Sequence, residues 1–180
     1  MPIASTDILY KYSTTVGTAG NTNAGTAAGS LGKYISTTTI TDAQLNNLFG
    51  DIGGDDNANG VVDYRCLFIH NNHATLTLLS TVVWLLTEVA GGANVAIAID
   101  NIAASAIGSG SAQAATIATR TTTPTGVGAF SSPGTKGTGL VLGDIGPGQC
   151  RAVWVRRTAT ASAALNNDGV TLRVEGDTLP

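Results

Sequence analysis

The sequence predicts a mainly β protein, an antiparallel β-sandwich of jelly-roll or immunoglobulin-like Greek-key type with one short helix and an extended N-terminal arm. Three observations carry this. Short runs of alternating apolar and polar residues recur along the chain, as in VDYRCLF at 62–68 and VTLRVE at 170–175. Turn-forming clusters separate them: Asn59-Gly60, Gly146-Pro147-Gly148 and Asn166-Asn167-Asp168-Gly169. Helical spacing is confined to one stretch. At 180 residues the chain fits one domain, large enough to bury a core without metals or disulfides.

Taken in order, residues 3–12 alternate weakly and form a first strand. Residues 13–32 are Thr, Gly, Ala, Asn and Ser with almost no apolar side chain to bury. They read as an extended arm, mobile in the free protein and separable from the rest. The chain therefore divides into a strand and arm over 1–40 and a sandwich domain over 41–180. Residues 31–40 return to strand-forming types. Over 41–49 the spacing predicts a helix: Thr41 caps it, Gln44 completes a capping box, and Leu45, Leu48, Phe49 and Ile52 share one face. Asp42 suits its first turn and Gly50 its end.

Beyond the turn at Asn59-Gly60, residues 61–70 form a strand with Tyr64, Cys66 and Phe68 on one face and Asp63 and Arg65 on the other. After the polar break NNHA, residues 75–86 form a second apolar strand, too short for a membrane span of about 20 residues. The simplest account makes these two neighbours in the middle of one sheet. Further strands are expected over 93–100, 115–120, 140–145, 150–158 and 170–177.

Charged residues make up 12% of the chain, half the roughly 25% usual in soluble domains, and Thr, Ala, Gly, Ser and Asn replace them. Such a surface loses little when pressed against a neighbour. A net charge of −3 argues against nucleic-acid binding. The N-terminus lacks a basic segment followed by an apolar one, so synthesis in a cytoplasm without a signal peptide is expected, with Cys66 and Cys150 reduced. Asp55, Asn57, Asn59 and Asp63 match part of a calcium loop, but Cys66 stands where the bidentate Glu belongs. A plain turn is the better reading. His70 and His73 have no third ligand in sight, and no nucleophile elbow, phosphate loop or HExxH occurs. No enzyme activity and no cofactor are expected. Arg151, Arg156 and Arg157 share a strand with Trp154, a pattern that suits a subunit contact or a charged edge strand. Tyr10, Tyr12 and Tyr34 flank the arm as further interface candidates.

Several stretches carry a resemblance: DYRC at 63–66 followed by LFIHNNHATLTL, TPTGVGAFSSP at 123–133, LGDIGPGQ at 142–149, AVWVRRT at 152–158 and LRVEGDT at 172–178. In these the chain resembles a widespread set of tailed-bacteriophage virion proteins. The resemblance implies a structural component of the particle, favouring a capsid decoration (cement) protein on the capsid surface. The implied partners are the major capsid protein and further copies of the chain, as a dimer or trimer, with no nucleic acid or membrane. It brings no catalytic residues. A tail, neck or fibre component and a carbohydrate-binding attachment module are the alternatives.

Overall fold

The computed structural model describes residues 2–17, 22–108, 110–163 and 165–178. In chain order the strands are β1 (Ile8–Thr14), β2 (Tyr34–Thr39), β3 (Val62–Asn71), β4 (Leu78–Glu88), β5 (Asn94–Ile99), β6 (Ser105–Ala106), β7 (Leu140–Ile145), β8 (Gln149–Thr158) and β9 (Val170–Asp177), with one short α-helix, α1 (Gly54–Ala58), before β3. They build two antiparallel sheets, as a β-sandwich requires. The larger runs β2-β1-β3-β8-β5, with β6 also paired to β8, and the smaller runs β7-β4-β9.

Both faces of the large sheet are covered. Towards the small sheet, Leu67, Ile69, Ile97, Val153 and Val155 pack against Leu78, Val83, Leu85, Leu142, Ile145 and Val174. On the outer face, Phe68, Cys66, Trp154, Ala152 and Ile35 pack beneath Ala114 and Ile117 of the long connection after β6. This two-sided burial explains why all of β3 beyond Val62 is buried, including the uninterrupted apolar run at Cys66 to Ile69. The expected division of Tyr64, Cys66 and Phe68 from Asp63 and Arg65 holds, yet Asp63 and Arg65 are themselves buried.

Three local expectations are corrected. First, β3 and β4 are not neighbours; each lies in the middle of a different sheet. NNHA is a corner where the chain crosses between sheets, and the turn before β8 crosses beside it. Asn71 fastens the two: its Nδ2 donates to the carbonyls of Leu76 (2.8 Å) and Ile145 (2.9 Å), while its own carbonyl accepts from Gly148 N–H (2.9 Å). The paired ribbon β3–β8 thus continues as β4–β7. Alternation reports which face a residue takes and not which sheet a strand joins.

Second, residues 41–49 are turns and bends, and the helix lies at α1 instead. Ala43 (φ 54°) and Asn46 (φ 58°) adopt left-handed backbone, which ends any helix. Local bonds outcompete the helical ones: Asp42 accepts from Ala43 N–H (2.8 Å), Asn47 Nδ2 donates to the Thr41 carbonyl (3.0 Å), and Tyr12 hydroxyl donates to the Asn47 carbonyl (2.5 Å). Third, residues 115–120 form no strand. Their contact with residues 31 and 32 is an isolated bridge, Gly32 to Thr116, and a bond from Ile117 N–H to the Leu31 carbonyl (3.0 Å).

The arm is also not free of the core. Residues 18–21 lie outside the described residues, but Ser13 and Ser30 on either side are fully buried. β1 pairs with β3 only over Ile8–Tyr12. Beyond that the Ser30 carbonyl takes the Cys66 N–H (2.9 Å) and the Arg120 carbonyl takes the Tyr64 N–H (2.7 Å), so loop backbone continues the sheet. Gly32 holds φ +93° where a Cβ would strike the Ala115 carbonyl, so a side chain is excluded there. Small residues serve close backbone approach in this segment.

Candidate functional site

The sequence-predicted interface strand does not offer a contact surface. Trp154 is fully buried, with Nε1 donating to Asp100 Oδ2 (2.9 Å). Asp100 is also fully buried; its carboxylate accepts the N–H groups of Ile102 (2.9 Å) and Ala115 (2.7 Å). Trp154 thus anchors the outer layer to β5 and is corrected from interface anchor to core. The arginines are held within the chain. Arg151 donates to the Asp100 carbonyl (2.9 Å), Arg156 lies over the Phe130 ring (5.2 Å), and Arg157 lies over Phe49 (4.7 Å) while pairing with Asp63 (2.7 Å). Tyr10, Tyr12 and Tyr34 are half-buried.

The calcium candidates are likewise dispersed. Asp55 and Asn57 sit in α1, and Asn59 follows it, its side chain turned back onto the Asp55 carbonyl (2.8 Å). Asp63 lies apart, with one carboxylate oxygen on Arg120 (2.6 Å) and the other on Arg157 (2.7 Å). Arg120 also holds Asp56 (2.8 Å), so the network ties α1 and the 120 loop to β3 and β8. Among the described residues no three His, Cys, Asp or Glu side chains are placed to hold a metal ion. Cys66 and Cys150 are buried free thiols. Their cross-strand partners, Trp154 and His70, lie four residues apart along the β3–β8 ladder, roughly 13 Å at the rise of a strand, too far for a disulfide.

His73 is a turn residue whose Nδ1 accepts from the N–H groups of Thr75 (3.2 Å) and Leu76 (3.0 Å). His70 is different: it is buried on β3 and its Nδ1 has no partner. Burial and the nearby Lys11 lower its pKa to about 4. Since the folded value lies below the ordinary 6.5, the unfolded chain gains a proton first as pH falls. Stability from this group is complete above about pH 6.5 and is lost progressively down to about pH 4. The expected loss is about 1–3 kcal/mol, reduced by whatever solvent reaches the ring edge. Denaturant titrations between pH 6.5 and 4.5 test this: His70→Asn is expected to flatten the pH dependence, and an unchanged slope would assign it elsewhere.

What gathers at the surface is a cleft of about 1810 Å³ at one end of the sandwich. Its floor is the inner face of the large sheet at Ile8, Tyr10 and Ile40, where the three-stranded small sheet does not reach. One wall is the irregular 41–52 loop and the other is β9 with residues 160–163 and 165–169. The backbone of β9 facing the cleft is met at its centre by Tyr10, whose hydroxyl donates to the Leu172 carbonyl (3.4 Å). Burial pushes the pKa of that hydroxyl up to about 12, so it stays a donor. Leu45 (69% exposed), Leu165 (42%) and Val89 (40%) stand at the mouth, with Asp42, Asp51 and Asp168 among the lining. Apolar periodicity points Leu45 into a core; its exposure follows from the missing helix. Leu165 and Val89 carry no sequence signal beyond being lone apolar residues in polar loops.

No family model, curated protein or solved structure matches the chain.

Proposed function

We propose that the protein is a structural virion component that binds the outside of a phage capsid and reinforces contacts between capsid subunits. The observation that supports this reading is that Leu45, Val89 and Leu165, three of the exposed large apolar side chains, all line one cleft of a weakly charged molecule. Apolar side chains exposed together mark contact surfaces. The partners are the major capsid protein and further copies of the chain, and the phage-like segments DYRC, LGDIGPGQ and AVWVRRT favour the particle as the setting. A tail, neck or fibre position uses the same surface and is the second reading. A glycan-binding module is less favoured, because both tryptophans are buried and offer no stacking platform.

Density or immunogold labelling on intact particles distinguishes head from tail. Binding to undecorated capsids tests the surface: Leu45→Asp with Leu165→Asp is expected to leave melting unchanged and to weaken attachment by about tenfold or more. Full attachment by the doubly substituted protein would move the contact elsewhere.

A further inference from the structure

We propose that the cleft takes an extended segment of the capsid subunit as an added strand beside β9, a segment in which apolar residues alternate with lysine or arginine. This rests on the virion reading and names the chemistry of the partner at the same surface. β9 is an outer strand of the small sheet, paired to β4 alone, and residues 170–176 line the cleft. Two bonds fix which of its backbone groups face outward. Leu85 lies opposite Leu172, yet its N–H turns away from β9 to the Pro133 carbonyl (2.8 Å). The Leu172 carbonyl in turn is met from the cleft by the Tyr10 hydroxyl. Leu172 and, two residues on, Val174 therefore present their N–H and C=O groups to the cleft, whereas those of Arg173 face β4.

The outer strands of the large sheet are met by loop backbone. Ile97 on β5 exchanges both bonds with Ser131 (2.8 and 3.0 Å), and Thr37 N–H on β2 reaches the Asn23 carbonyl (2.9 Å). Among the described residues no backbone group meets the cleft side of β9 in this way. What meets it is the Tyr10 hydroxyl, at 3.4 Å, longer than the roughly 2.5–3.0 Å usual for a hydroxyl donor and so readily displaced.

A row of unpaired donors and acceptors selects an extended chain. Placed about 4.8 Å from β9, such a chain lies over Ile8, Tyr10 and Ile40, which favour an apolar residue at every second position. The rim specifies the residues between. Asp42, Asp51 and Asp168 line the cleft and are exposed, and among the described residues none has a cationic partner. The lining arginines are already taken, Arg157 by Asp63 (2.7 Å) and Arg173 by Glu175 (3.2 Å). Positive side chains on the incoming segment complement this rim. A second copy of the chain fits less well: it brings the same carboxylates, and the 41–52 wall stands opposite β9 where its sheet would have to lie.

Amide hydrogen exchange on the full-length protein, read residue by residue by NMR, tests the pairing, with a capped heptapeptide of alternating valine and lysine as the probe. Exchange at Leu172 and Val174 is expected to slow by about tenfold or more, with Arg173 unchanged. The same peptide with glutamate in place of lysine is expected to have no effect. Asp42→Lys with Asp51→Lys leaves Asp168 on the Ala93 N–H (2.8 Å). This variant is expected to bind the lysine peptide about tenfold or more weakly and to respond less to added salt. Unchanged exchange at Leu172 and Val174 in millimolar lysine peptide, or an equal response to both peptides, would overturn the proposal. So would a dimer in sedimentation whose Leu172 and Val174 amides are protected before peptide is added. Protection by the lysine peptide in a protein that ignores undecorated capsids would uphold the strand-binding cleft and overturn the capsid as the source of its occupant.

Discussion

Trp154→Ala is expected to destabilise the protein by about 3–5 kcal/mol, the range for deleting a large aromatic from a packed core. Trp154 is fully buried at the centre of the large sheet's outer cluster, beside Phe68, Ile35, Ala98 and Ile117. Its removal leaves a cavity between β8 and the covering connection. It also removes the indole donor to Asp100, leaving a fully buried carboxylate with fewer bonds to hold its charge. Trp154→Phe keeps much of the volume and loses mainly that bond, so it is expected to fall nearer 1–3 kcal/mol. Denaturant midpoints for both variants provide the check. A loss below about 1 kcal/mol for the alanine variant would mean that the outer layer unfolds independently of the sandwich and contributes little to its cooperativity.

The outer layer is also where the sequence is least legible. Strands with one-residue alternation and clear turns, β5, β7, β8 and β9, lie within a residue or two of where periodicity predicts them. The residues that decide the remaining architecture are polar and act through the backbone. Asn71 joins two corners through carbonyls 5 and 74 positions away, and no local pattern marks it as different from Asn72. Asp100 reads as a solvated acid ending a strand, whereas it collects donors from Ile102, Ala115 and Trp154. Gln113 reads as part of an Ala-rich ambiguous stretch, yet it bonds to Ile35, Ser105 and Ala106. Long-range satisfaction of buried polar groups depends on tertiary placement that a one-dimensional pattern does not contain. The same holds for the cleft: Leu45 reads as a core position of a helix, and two left-handed residues, Ala43 and Asn46, turn it outward.

Deleting residues 13–32 is expected to abolish cooperative folding, the reverse of what their composition suggests. An apolar-poor segment cannot offset the roughly 1–2 kcal/mol per residue that ordering a backbone costs through its own side chains. The described part of this segment contributes differently. It supplies acceptors to the sheet and its covering connection: the Ser30 carbonyl for Cys66 N–H on β3, the Leu31 carbonyl for Ile117 N–H in the connection and the Asn23 carbonyl for Thr37 N–H on β2. Ser13 Oγ in turn accepts from Gly32 N–H (2.9 Å) at a wholly buried site. Each buried N–H left without a partner costs about 1–3 kcal/mol, so the two at Cys66 and Ile117 together remove a large share of the stability of a domain this size. Opening the segment also uncovers the Trp154 ring, which lies close against Gly32. The measurement is a melting curve of the truncated chain beside the full-length protein, with near-ultraviolet circular dichroism to report the packing of Trp154. A sharp transition at an unchanged temperature would show that other backbone replaces these acceptors and that the segment is dispensable to the fold. Loss of the transition is the expected result, because Cys66 is fully buried in the middle of the large sheet and its N–H bonds to the Ser30 carbonyl that the deletion removes.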